Sequence, residues 1–66
     1  MTREAQLAAL ASRIRCYDEA ALRSHDPTII SGFKNAALTL LEYRQKMLAE
    51  PEYELPANIK RELGIT

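Results

Sequence analysis

The 66-residue sequence contains no Val and no Trp, and it has only four aromatic residues, two Gly and one Cys. Because β-branched and aromatic side chains are the ones enriched in strands, their scarcity disfavours a β-sheet fold. Cys16 alone cannot form an intramolecular disulfide, and the single His leaves no Cys/His group with zinc-site spacing. The sequence therefore predicts no disulfide, metal or cofactor, and a reducing cytoplasm as its location.

Net charge and long apolar runs are also absent. Nine Lys and Arg balance nine Asp and Glu, so nothing attracts the chain over long range to nucleic-acid phosphates or anionic lipid. No apolar run approaches the roughly 20 residues that cross a bilayer, and the first residues lack a signal-peptide pattern. We expect a cytoplasmic protein whose partners are proteins, with nucleic acid disfavoured and no membrane.

Ala, Leu and Ile make up most of the apolar 47% of the chain, which favours helices. The region from about 2 to 24 contains neither Gly nor Pro. Its larger apolar residues recur at the three- and four-residue spacing of one helix face: Leu7, Leu10, Ile14 and Tyr17. This pattern predicts a first long helix.

A second long helix is predicted over 27–49. Asp26 suits the N-cap position and Pro27 the first helical position, where a missing N–H is harmless. Pro51 disfavours helical geometry at Glu50 and so ends the helix. The turn between the two helices is about three residues long, which predicts an antiparallel helical hairpin over 1–50.

The remaining segment, 51–66, is predicted to be an extended acidic connector followed by a short C-terminal helix. That helix is expected from Pro56 to Leu63 and to end at Gly64 in a Schellman motif, with Ile65 folding back on Ile59. The predicted fold class is all-α.

The apolar surface of the hairpin is wider than its two helices can hide from water. On a helical projection the apolar arc of the second helix spans roughly 160°, more than one neighbouring helix covers. A chain this short also buries only about 60% of its unfolded surface, so a second copy is expected. The sequence therefore predicts a dimeric four-helix bundle; the alternative is a monomer in which the third helix caps the hairpin. The predicted dimer interface consists of Leu7, Leu10, Ile14, Tyr17, Asp18, Ile30, Phe33, Ala37, Leu40, Leu41, Arg44 and Leu48.

Two charges fall inside these apolar arcs, Asp18 in the first helix and Arg44 in the second. An unpaired buried charge costs several kcal/mol, so each needs a partner or a place at the rim. Within one hairpin they are roughly 18 Å apart along the axis at 1.5 Å per residue. A two-fold axis perpendicular to the bundle would bring them together across subunits. The alternative is that Arg44 lies at a bundle end or pairs with Glu4.

The side chains that carry nucleophilic chemistry are poorly placed for catalysis. Cys16 and His25 are nine residues apart and point in opposite directions on a continued helix, so they cannot meet within one chain. The sequence therefore predicts a non-catalytic, protein-binding regulator, inhibitor or adaptor that acts as a homodimer. Leu38, Tyr53 and Leu55 are the candidate partner-binding residues. For Tyr53 and Leu55 the alternative is that they fold back against the bundle end.

Two other functions remain open. The predicted architecture is similar to that of small RNA-binding plasmid copy-number regulators, which are helical-hairpin dimers. Their basic row is not matched here, because the basic residues of the first helix point in four directions: Arg3, Arg13, Arg15 and Arg23. A nucleic-acid-binding regulator is therefore one alternative. The other is a co-chaperone or hetero-oligomer subunit, such as a secretion accessory protein, whose apolar arc covers a different chain.

Overall fold

The computed structural model describes residues 2–65 and contains three α-helices in chain order: α1 at Arg3–Arg23, α2 at Pro27–Ala49 and α3 at Ala57–Glu62. Over the described range there is no strand. The predicted all-α class and the helical hairpin are confirmed, and the helix limits agree with the predicted ones to within about one residue. Positions 1 and 66, the outermost residues of the two predicted segments, lie outside the described residues.

Side-chain caps define where the two long helices begin. The Thr2 hydroxyl accepts a hydrogen bond from the Ala5 amide at 3.1 Å, and Asp26 Oδ1 accepts one from the Thr28 amide at 2.9 Å. Each cap satisfies an amide that the first turn of a helix leaves without a partner. The N-cap role predicted for Asp26 is confirmed, with Pro27 at the first helical position.

The two long helices run antiparallel. Arg3 at the start of α1 reaches the Met47 carbonyl near the end of α2, and Tyr17 stacks on Phe33 closer to the turn. Both pairs are symmetric about residue 25. The turn at 24–26 has the length typical of an antiparallel helical hairpin.

The C-terminal segment folds back along the hairpin. A turn at Pro51 and Glu52, closed by the Tyr53 amide on the Glu50 carbonyl at 3.0 Å, interrupts the predicted extended connector. α3 ends at Gly64, whose φ of 76° is readily adopted only by glycine.

The hydrogen bonds after α3 are those of the predicted Schellman motif. The Ile65 amide donates to the Lys60 carbonyl at 2.8 Å, and the Gly64 amide donates to the Arg61 carbonyl at 3.1 Å. The motif satisfies carbonyls at the helix end and turns Ile65 inward, where it is buried.

The core lies between one side of the hairpin and this returning segment. Its buried members are Leu10, Leu40, Met47, Leu55 and Ile59. Leu7, Ile14, Tyr17, Tyr43, Tyr53 and Leu63 pack around it. Full burial of one such side chain contributes about 1.5–3 kcal/mol. The connector and α3 therefore cover one side of the hairpin and leave the other side uncovered.

Candidate interaction surface

The uncovered side of the hairpin is a shallow groove between α1 and α2. It is lined by Ile14, Asp18, Ala21, Leu22 and Ser24 before and at the turn, and by Ile30, Lys34, Ala37, Leu38 and Leu41 of α2. We call this surface the open face. No residue of α3 lines it, since α3 packs on the opposite side.

The open face exposes large apolar side chains. Leu22 is 86% exposed and Leu38 is 57% exposed. Leu48, also 57% exposed, continues the row seven residues beyond Leu41, on the same side of α2. Single exposed leucines are common, whereas several large apolar side chains exposed along one side of a helical hairpin are typical of an interaction surface.

Asp18 and Lys34 are the two charged residues of the open face. Asp18 is on α1 and Lys34 on α2, and both line each of the two adjoining concavities that make up the groove. Both side chains are exposed. The apolar groove therefore has one acidic residue on its α1 wall and one basic residue on its α2 wall, at a similar position along the helices.

The predicted dimer-interface residues fall into two groups. Leu10 and Leu40 lie in the core of the single chain, and Leu10 has no exposed surface at all. Tyr17 and Phe33 are half-buried and stack with ring centroids 6.0 Å apart. Leu10 and Leu40 therefore have no surface left to offer a second chain, whereas Tyr17 and Phe33 keep part of theirs.

The second group keeps part of its surface. Five of the predicted residues line the open face: Ile14, Asp18, Ile30, Ala37 and Leu41. Asp18 and Leu48 are exposed, and Ala37 is buried at 6% exposure. The remaining members are half-buried: Leu7, Ile14, Ile30, Leu41 and Arg44. Among residues 2–65 neither Asp18 nor Arg44 forms an ion pair, so the structure of one chain leaves their proposed pairing across subunits open.

The candidate partner-binding residues are likewise separated. Leu38 lies on the open face. Leu55 belongs to the core and is only 4% exposed, while Tyr53 is half-buried with the Lys46 ammonium 5.8 Å from its ring centroid. The arrangement seen is therefore the alternative in which the connector folds back on the bundle. The alternation of apolar and acidic residues in the connector is the same whether Tyr53 and Leu55 pack on the hairpin or remain exposed, so it does not distinguish the two arrangements.

Polar contacts fasten α3 to α1. The Tyr17 hydroxyl donates a hydrogen bond to Glu62 Oε1, and Arg13 Nη2 donates to the Glu62 carbonyl at 3.0 Å. The Glu62 hydrogen bond, burial and the nearby negative charge together raise the pKa of Tyr17 above its ordinary value of 10.0. Because these contacts lie away from the open face, they keep α3 from covering it.

Arg3 has a structural role that helical periodicity did not indicate. Its guanidinium donates to the Met47, Glu50 and Tyr53 carbonyls at 2.6, 2.7 and 3.0 Å. It therefore joins the start of α1 to the end of α2 and to the connector. This contact could have been predicted from the hairpin register, because a turn centred on residue 25 places Arg3 level with Met47.

The side chains considered for catalysis remain apart from one another. Cys16 and His25 are exposed, and neither side chain makes a hydrogen bond within the described range. The same range contains no group of three or more His, Cys, Asp or Glu arranged to hold a metal ion. None of the three helices has the length and apolar character that crossing a membrane requires.

Comparison with known proteins gives no assignment. No protein-family model matches the chain, and neither a curated protein nor a solved structure matches it significantly. The function must therefore be inferred from the residues and their geometry.

Proposed function

We propose that this chain is a small, non-catalytic, protein-binding regulator or adaptor of the cytoplasm that acts as a helical homodimer through its open face. The observation that carries the proposal is the exposure of Leu22, Leu38 and Leu48 on one side of a hairpin whose other side is covered. Covering that apolar surface is favourable by about 25 cal/mol per Å².

Helix-on-helix packing is the association that this surface fits. The row of Ile30, Ala37, Leu41 and Leu48 has the four- and seven-residue spacing of a bundle seam. Ala21 and Ala37, each only 6% exposed, form the floor of the groove, and their small side chains leave room above them for a helix of a second hairpin. A second hairpin laid on this seam completes a four-helix bundle.

The proposal is tested by removing the apolar row without changing the core. The combined substitution of Leu22→Gln, Leu38→Gln and Leu48→Gln is expected to convert a dimer to a folded monomer in sedimentation equilibrium. The matched control is Ile29→Gln, because Ile29 is 48% exposed but does not line the open face. Equal masses for the triple variant and the wild type would contradict the proposal.

A further inference from the structure

The two charges of the open face lie at the same height on the hairpin. Asp18 is seven residues before the turn centre at residue 25 and Lys34 is nine residues after it, so they differ by about 3 Å along the axis at 1.5 Å per residue. They do not pair within the chain, since Lys60 with Glu54 is the ion pair formed among residues 2–65. The face therefore offers one anion and one cation side by side.

This arrangement is complementary to itself under one particular rotation. A two-fold axis parallel to the helices lays α1 of one subunit on α2 of the other, at equal heights. Asp18 then faces Lys34 of the partner subunit, and Lys34 faces Asp18 of the partner subunit. This one rotation therefore gives both charges a partner of opposite sign.

The other face-to-face arrangement leaves one charge without a partner. An axis perpendicular to the helices lays α1 on α1 with the heights inverted. Asp18 then meets the segment around Leu7, with Arg44 of the partner subunit diagonal to it, while Lys34 meets the apolar segment around Leu41. Removing an unpaired ammonium from water is unfavourable by several kcal/mol, so this arrangement is disfavoured.

The size of the face is also sufficient for a dimer. The principal extents of the molecule are 39 × 21 × 17 Å, so its broadest projection has an area of about 800 Å². A standard interface buries about 800 Å² of accessible surface on each partner. A broad side of this chain is therefore of the size that an interface with a second copy requires.

We propose that the open face binds a second copy of this chain, with α1 stacked on α2 of the partner about an axis parallel to the helices and two reciprocal Asp18–Lys34 ion pairs fixing the register. This inference rests on the homodimer of the proposed function and specifies its geometry. It replaces the Asp18–Arg44 pairing, which belongs to the perpendicular axis.

Charge exchange tests the pairing. Asp18→Lys alone and Lys34→Asp alone each place like charges together at both symmetric contacts. A tenfold penalty at each contact then raises the dimer dissociation constant roughly 100-fold. When the two variants are mixed, both contacts become complementary again, and a heterodimer of wild-type affinity is expected. Glu19→Lys is the matched control, because Glu19 is exposed on α1 outside the open face and its reversal should leave the affinity unchanged.

Native mass spectrometry of the mixture separates the outcomes. Heterodimers formed in preference to either homodimer support the proposal, and they also show that both variants fold. A wild-type dimer whose single variants are not rescued by mixing overturns the pairing but leaves the homodimer intact. If Asp18→Lys is rescued by Arg44→Asp instead, the axis is perpendicular to the helices. A wild-type chain that stays monomeric overturns both this inference and the homodimer of the proposed function.

Discussion

Replacing Arg3 tests what holds the start of α1 against the end of α2, at the end of the hairpin far from the turn. The guanidinium donates to three carbonyls, one of them on Met47, which is among the last four carbonyls of α2 and so lacks a helical partner. It also places a positive charge at the negative end of the α2 dipole. Arg3→Ala removes all of these interactions at once.

The expected loss of stability is about 2–3 kcal/mol. One hydrogen bond from a charged donor contributes about 1.5–3 kcal/mol, and three bonds that share one partly exposed group contribute less than their sum. The unfavourable position of a cation in the first turn of α1 offsets about 0.3–1 kcal/mol of this. A domain of this size is stable by roughly 3–10 kcal/mol, so the loss is a large fraction of the total.

The assay is urea unfolding followed by far-ultraviolet circular dichroism at one fixed protein concentration, because association shifts the midpoint. Arg3→Lys keeps the charge but not the planar fork, so it should recover only part of the loss. Arg15→Ala is the control, since Arg15 is exposed on the same helix and makes no hydrogen bond within residues 2–65; it should change stability by less than about 0.5 kcal/mol. Equal effects of Arg3→Ala and Arg15→Ala would show that the three carbonyl contacts of Arg3 add nothing to stability.

Three further predictions concern the core, the α3 contact and the Schellman motif. Leu10→Ala is expected to lower the free energy of unfolding by about 2–5 kcal/mol because it leaves a cavity in the core. Leu38→Ala is expected to weaken association instead, so its effect on urea unfolding should depend on protein concentration. A loss of stability that is the same for both variants at every concentration would contradict this. Because the pKa of Tyr17 is raised on folding, the bond to Glu62 stabilises the fold fully below pH 10 and its contribution is lost as pH rises through the raised value. Tyr17→Phe should therefore show a smaller alkaline loss of stability, and identical pH profiles would count against the contact. Gly64→Ala is expected to lower the unfolding free energy by about 1–2 kcal/mol in the same assay, since its φ of 76° disfavours a Cβ, and an unchanged midpoint would be inconsistent with that strain.

The elements of the fold could be predicted from local chemistry. Asp26 followed by Pro27 defines the start of α2, and Gly64 defines the end of α3, because each position has requirements that few residues meet. Apolar spacing likewise identified both long helices. These features depend on residues close in sequence, which is why no tertiary information was needed.

The placement of the connector could not be predicted in the same way. Tyr53 and Leu55 alternate with acidic residues, a pattern equally compatible with docking on a partner or on the hairpin itself. Leu55 lies in the core because α3 returns along one side of the hairpin, and that return depends on distant contacts such as those of Tyr17 and Arg13 with Glu62.

The connector and α3, by packing on one side of the hairpin, divide the apolar arc of α2 into a covered part and an uncovered part. Leu40 and Met47 are covered by the returning segment, whereas Leu41 and Leu48 are not. The helical projection predicts an arc wider than one neighbouring helix covers, but residue spacing alone assigns the whole arc to one interface. Only a tertiary structure distinguishes the part buried within the chain from the part left exposed.

The mass of the wild-type protein in solution decides whether a second copy covers the open face. Light scattering over a dilution series down from about 100 µM is expected to give about 15 kDa at the highest concentration, twice the 7.5 kDa of one chain, with dissociation on dilution. A well-folded protein that remains at 7.5 kDa throughout the series would contradict the claim that a second copy covers the open face.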